Sequence, residues 1–313
     1  MRRESSGNRV ELTARDIEIL KLLQRYRYLR STFLYAFIGG KNETRFKERL
    51  GALYHDGRYI NRPAEQWQYA GSRYAPAVYE LDRAGEAVLA NFGHSKRPHG
   101  GADGKRQFAH SLMISETLAS IELGARTAGN ARAITSDEIA AAAPKAGEPG
   151  NPLVLPASIS HTFPRSGKME TAVFELVPDG LFGLAYTERD GSKSYRFFAL
   201  EVERENRVAA SSLKPASFLK KVLAYRDIAT RETFHSQLGI PNLAVLVVTE
   251  SAARIETMKK TIFDVTGGKG SPLFMFRPFP QLGNPFAAAA PALDLFSGPW
   301  TRAGHPDFYI NRP

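Results

Sequence analysis

Hydrophobic positions along the first ninety residues fall into three short helical periods and a hairpin. Ile17, Leu20, Leu23 and Tyr26 recur at helical spacing behind Thr13, a candidate N-cap with Asp16 three residues later. "STFLYAFIG" predicts a second helix from Ser31, stopped by Gly39 and Gly40. A third begins at Asn42 in "NETRFKERLGALYHDG", where Phe46, Leu50, Leu53 and Tyr54 line one stripe and Gly57 closes it. "RYINRP" and "AVYEL" read as short strands joined by the polar stretch "AEQWQYAGSRYAP", and "DRAGEAVLANF" as a further helix.

Beyond a Gly-, His-, Lys-, Arg- and Pro-rich stretch the pattern changes. "FAHSLMISETLASIELGARTAG" predicts a long helix and "AAAAPKAGEPGNP" a loop of small residues. Strands follow at "TAVFELV", "LFGLAYTERD" and "YRFFALEVER", then the helix "LKPASFLKKVLAYRDIATRETF", the apolar strand "NLAVLVVTE", the helix "AARIETMKKTIFDVTGG" and the strand "LFMFRP". The expected organisation is a winged helix-turn-helix domain at 1–92, a linker at 93–107, an α/β domain with a mixed central sheet at 108–280 and an irregular tail at 281–313. "YINRP" occurs at Tyr59–Pro63 and again at Tyr309–Pro313, too short a match to establish a repeat.

Composition narrows the function classes. No cysteine is present, which excludes disulfides, thiolate zinc sites and a cysteine nucleophile and fits a cytoplasmic protein. The N-terminus has no apolar signal core, and no run is long enough for a membrane span. The formal net charge is +10, and residues 1–110 hold 20 Lys and Arg against 12 Asp and Glu. That concentration of positive charge points to an anionic partner for the N-terminal segment.

A helix-turn-helix sends its last helix into the major groove, N-terminal residues first. Those residues here are Asn42, Thr44 and Arg45, with Lys41, Lys47 and Arg49 nearby. Lys41, Arg45 and Arg49 are spaced by four and predict one basic ridge opposite the apolar stripe. Arg58, Arg62 and Arg73, with Trp67 and Tyr69 at the turn, equip the wing to lie along a phosphate backbone. A solvated basic face on a protein-binding module is the competing reading.

The other candidate chemistry lies in "RFFALEVERENR". Side chains alternate along a strand, so Phe198, Leu200 and Val202 share a face, expected to meet the helical layer. Phe197, Ala199, Glu201 and Glu203 share the other, which puts two carboxylates about 6–7 Å apart. Asp179 ends "VFELVPD" two strands earlier. Strand, Pro-Asp, strand, Glu-Val-Glu resembles the core of the PD-(D/E)xK nuclease-like superfamily. The resemblance implies a restriction-endonuclease-like fold, with Asp179 and Glu201 holding Mg²⁺ or Mn²⁺ and Glu203 as a further ligand. The family's lysine position falls on Glu203, a reversal of charge. A lysine from the next helix, where Lys214, Lys220 and Lys221 lie, is the expected substitute, with Lys214 the residue assigned. Otherwise the acids are a salt-bridged strand end with Arg204 or Arg207 and no catalysis. Glu116, on the earlier long helix, is expected at that helix's border.

Taken together, "LTARDIEIL", "YELDRAGEAVL", "FAHSLMISE", "VPDGLF" and "ALEVERE" resemble the replication-relaxation family, over roughly Leu12 to Thr249. The resemblance implies a DNA-binding protein of plasmids and mobile elements, acting in replication, relaxation or transfer or as a transcriptional regulator. Double-stranded DNA is the expected partner, with homodimerisation left open and no membrane. The scattered histidines lack ligand spacing, and the absence of a GxxxxGK[ST] loop predicts no nucleotide cofactor. Two functions remain: a non-enzymatic DNA-binding accessory, or a metal-dependent endonuclease or nickase delivered by the winged helix.

Overall fold

The computed structural model describes residues 3–68, 71–94, 105–144, 151–164, 166–188, 190–204, 208, 212–213, 217–279 and 290–312. Two compact units divide the chain: residues 1–123 with 281–293, and residues 124–280 with 294–313.

The first unit opens with α1 (Ala14–Tyr26). Thr13 and Asp16 cap it reciprocally, the Thr13 amide donating to Asp16 at 2.7 Å. Next come β1 (Leu29–Arg30), α2 (Ser31–Ile38) and α3 (Glu43–His55), which buries Phe46, Leu50, Leu53 and Tyr54 as its stripe requires. β2 (Ile60–Asn61) and β3 (Val78–Leu81) form the hairpin. They are joined through two 3₁₀ turns, Ala64–Gln68 and Ser72–Tyr74. The sheet order is β1-β3-β2, all antiparallel, so a third strand completes the expected pair. This is the element order of a winged helix. α4 (Arg83–Asn91) then passes so close to β2 that a Cβ on Gly85 would lie 2.3 Å from the Tyr59 carbonyl oxygen. Only glycine fits there.

α5 (Lys105–Ala128) differs from expectation. Read as the opening of the second domain, it belongs to the first unit through Leu123. Phe108 and Leu112 pack with Tyr28 and Val78. Glu116, expected at a helix border, is fully buried and paired with the equally buried Arg30 at 2.5 Å. Glu122 accepts from Arg25 at 3.1 Å and from the Tyr26 hydroxyl, and Ser115 donates to the Tyr26 carbonyl. Buried ions need partners, and α1 and β1 supply them.

The second unit contains β4 (Ala131–Ile134), α6 (Ser136–Ala142), β5 (Leu155–Thr162), β6 (Met169–Leu176), β7 (Gly180–Thr187) and β8 (Lys193–Glu203). It continues with α7 (Phe218–Thr230), α8 (Thr233–Leu238), β9 (Ala244–Thr249), α9 (Ala252–Val265), β10 (Ser271–Pro278), α10 (Asp294–Ser297) and β11 (Thr301–Ala303). Its mixed six-stranded sheet has the order β11-β10-β9-β8-β7-β4. β8, β9 and β10 run parallel, and β7 and β4 continue antiparallel. The strand "TAVFELV" is not in this sheet. It forms β6 of a separate hairpin with β5, and β4 takes its place beside β7. β6 alternates exposed Met169, Thr171, Val173 and Glu175 with half-buried residues, a pattern suited to one packed face.

The core lies between the sheet and α7 and α9, where Phe197, Ala199, Val245, Val247 and Phe274 meet Phe218, Val222, Met258 and Ile262. The helices therefore cover the acid-bearing face of β8, the reverse of the expected side. Phe198, on the opposite face, stacks on Phe182 and meets Phe308 edge-on. The tail is also more regular than expected. β11 pairs with β10, Trp300 is fully buried and bridges Phe308, and Ile310 is buried with its carbonyl accepting from the Tyr186 hydroxyl. Ile60 and Ile310, the isoleucines of the two "YINRP" copies, thus sit in different units.

Candidate nucleic-acid interface and buried acidic cluster

The N-terminal end of α3 presents an uneven set of the residues expected there. Lys41, Thr44 and Arg45 are exposed. Lys47 is exposed and paired along the helix with Glu43 at 2.8 Å. Asn42 is the N-cap, its side-chain oxygen accepting from the Arg45 amide at 3.0 Å. That use occupies the acceptor a base contact would need. Arg49 leaves the ridge: its guanidinium donates to both Asp16 oxygens, at 3.0 and 2.6 Å, and to the Glu11 carbonyl at 2.5 Å. Burial pushes the Asp16 carboxyl up, but the hydrogen bonds from Arg49 and Thr13 outweigh it and hold the group below its ordinary range. Arg15, which the sequence reading did not single out, donates to the Gly39 carbonyl at 2.7 Å. Arg15, Lys41, Asn42, Arg45, Phe46 and Arg49 help to line a cavity of about 330 Å³.

On the wing, Arg58 is exposed with φ 52°, and Arg73 is exposed on the second 3₁₀ turn. Arg62 is a strut instead. Its guanidinium lies 4.5 Å from the Tyr54 ring centre and 5.1 Å from that of Tyr79, whose hydroxyl accepts from it at 2.9 Å. Trp67 is half-buried, and Tyr69 lies outside the described residues.

In the second unit the register Gly180↔Leu200 sets Asp179 beside the end of β8. Its carboxylate accepts from the Val202 amide at 2.8 Å. Glu201 is 2 % exposed and Glu203 is 0 % exposed. Ser217 caps α7, and one turn of that helix aims Lys221 and Tyr225 at the acids. The Lys221 ammonium contacts Glu201 and lies 2.7 Å from Glu203 Oε1, and the Tyr225 hydroxyl donates to Glu201. Burial pushes Glu201 up to about 7; Lys221 opposes that shift and Asp179 adds to it. Burial lowers Lys221, but Glu201, Asp179 and Glu203 outweigh it and hold the ammonium well above its ordinary value. Burial and then Glu201 push the Tyr225 phenol far up, so it remains a donor.

Among the described residues, Lys221 meets both Glu201 and Glu203, and burial, with Asp179 adding to it, is what raises Glu201. Glu203 also faces Thr249 across the parallel pair β8–β9. Among the described residues, the Thr249 hydroxyl has no hydrogen-bond partner, and Glu203 has only the Lys221 ion pair. No three His, Asp or Glu side chains among the described residues form a metal-holding group. Of the lysines on the following segment it is Lys221 that reaches the acids. Lys220 lies over the Phe174 ring at 4.3 Å, and Lys214 falls outside the described residues. Arg204 pairs with Glu250 at 2.8 Å rather than with the cluster. Tyr225 was not singled out from sequence; the available signal was a lysine four residues before a tyrosine inside an apolar helical stripe.

The model of the replication-relaxation family matches residues 20–243, most of the chain. The chain belongs to the replication-relaxation family. The family match takes in α2, α3, the wing, α5 and the whole acid cluster with its lysine and tyrosine. No curated protein and no solved structure matches the chain. Among the described residues, no helix of this family member is long and apolar enough to cross a membrane.

Proposed function

We propose that this protein binds double-stranded DNA through its N-terminal unit, as a non-catalytic accessory in replication, relaxation or transfer of a plasmid or mobile element. The observation that carries this reading is the exposed group Lys41, Thr44 and Arg45 at the start of α3, with Arg58 and Arg73 exposed on the wing. Helix N-terminal amides and arginines together suit phosphate and base edges. The basic charge concentrated in residues 1–110 supports it. The reading of the second unit as a nuclease-like scaffold is supported by its antiparallel β4–β7–β8, helix, parallel β9 order and by Asp179 and Glu201 at one strand end. As folded, its acids do not fit a divalent ion. Asp179 is engaged by the Val202 amide, and both Glu201 oxygens by Lys221 and Tyr225.

Arg45→Ala should weaken duplex binding by about 1–3 kcal/mol, and affinity should fall steeply with salt. Fluorescence anisotropy with labelled duplexes measures both. Unchanged affinity in Arg45→Ala and in Lys41→Ala would remove the assignment. The second reading, metal-dependent cleavage with Lys221 as the lysine, draws on the gathering of Glu201 and Glu203 around that lysine, with Asp179 at the same strand end. Supercoiled plasmid with Mg²⁺ or Mn²⁺ decides between them. The accessory reading expects no nicking, and nicking lost in Glu201→Ala would replace it with the enzymatic one.

A further inference from the structure

Resting on the DNA-binding reading above, we infer that the tip of the wing is a stacking platform for an unpaired base beside a duplex, with Tyr74 as the platform. Tyr74 is 94 % exposed, more than any other large hydrophobic residue among those described. A solitary exposed aromatic is ordinary, but three features of its setting are not.

The wing that carries Tyr74 is rigid at its base. Gln66, 3 % exposed, accepts from the Val78 amide at 3.0 Å and donates to the Pro63 and Val78 carbonyls at 3.0 and 3.1 Å. Arg62 is clasped between Tyr54 and Tyr79 just below. Residues 71–74 form a closed turn, the Tyr74 amide donating to the Gly71 carbonyl at 3.0 Å, with Gly71 at φ 77°. A turn held on such a base adds little backbone ordering to the cost of stacking.

Arg73, the preceding residue, is also exposed, in the unit that carries most of the chain's net positive charge. An aromatic with a neighbouring guanidinium is the pairing that proteins use to hold bases out of a stack, the cation taking the adjoining phosphate. Wedges that pry apart paired steps use Phe, Leu, Ile, Met or Pro instead. A phenol with a cation at its side therefore fits a base already unpaired, at a fork or the edge of an opened duplex.

The test compares a blunt duplex with a forked duplex of the same paired sequence, by anisotropy on the full chain. Tyr74→Ala should weaken fork binding roughly 5- to 150-fold and duplex binding less than about twofold. Tyr74→Phe should keep both, and Arg45→Ala should lower both. A 2-aminopurine at the first unpaired position should be quenched by the wild type and not by Tyr74→Ala. Equal loss on both probes, no loss on either, or quenching preserved in Tyr74→Ala would overturn the platform while leaving duplex binding intact. Failure of the wild type to bind either probe would overturn the DNA-binding reading itself.

Discussion

Replacing Lys221 by methionine keeps the length and most of the volume of the side chain and deletes its charge. The Lys221 side chain is 22 % exposed, and its ammonium touches Glu201 and Glu203, which are 2 % and 0 % exposed by side chain. Removing one partner of a buried pair typically costs about 3–5 kcal/mol, because the charge left behind has lost its compensation. Here two carboxylates lose their ammonium, Glu201 keeping only the Tyr225 hydroxyl among the contacts described, and the upper end of that range applies at alkaline pH. The loss should shrink on acidification. Without the lysine nothing opposes the burial that raises Glu201, so its contribution is intact below the unfolded carboxylate pKa and is lost as pH rises through the folded one. The assay is urea unfolding at pH 8 and pH 5 in a Trp67→Phe background. Only two tryptophans are present, so Trp300, fully buried in the second unit, becomes the sole reporter. Lys221→Met with Glu203→Gln should recover part of the loss at pH 8. A loss below about 1 kcal/mol at pH 8, or one independent of pH, would refute the view that Lys221 compensates the acids.

Glu201→Gln should flatten the pH dependence of the second unit. In the wild type a carboxyl raised to about 7 contributes stability below pH 4.5 that is lost as pH rises to 7, about 3 kcal/mol in all; melting from pH 4.5 to 8 measures it. Asp16 has the opposite sign. Its lowered pKa stabilises the first unit above its ordinary value near 3.8, and that stability should vanish on acidification, with Arg49→Ala costing about 1–3 kcal/mol at neutral pH in chemical unfolding. Arg30→Met should cost about 3–5 kcal/mol by breaking the buried ion pair with Glu116, while Arg30→Met with Glu116→Leu should restore most of it.

These pairs also mark where sequence reading stops. α3 was legible because Asn42 and a stripe of four apolar residues specify its start and its buried side. β1 was not, since two residues carry no periodicity and exist as a strand only through pairing with β3. α5 misled for a physical reason: its polar Ser115, Glu116 and Glu122 are buried only because Arg25, Tyr26 and Arg30 meet them, and no local pattern encodes that meeting. In the acidic cluster, alternation along β8 correctly grouped Glu201 with Glu203. It could not say which face the helices cover, since apolar residues stand on both faces of β8 and both are buried. Lys221 was among the lysines considered. Tyr225 was invisible because a tyrosine in an apolar stripe reads as packing. On α3 the ridge of spacing four does not form: Lys41 lies before the N-cap Asn42, outside the helix, and Arg49 was claimed by the acid that caps α1.

The closures made by the tail have a consequence for how the chain reaches this state. Ala292 donates to Ser120, Asn130 to the Asn311 carbonyl and Tyr186 to the Ile310 carbonyl, spans of 172, 181 and 124 residues. Each closes a large loop whose entropy must be spent before the contact returns anything, so these steps come late and slowly. Until β11 docks, the apolar edge of β10 is open to pairing with another molecule. The second unit is therefore at its most aggregation-prone when nearly folded, and conditions that slow the docking of residues 294–312 should lower the yield of native protein even where final stability is unchanged.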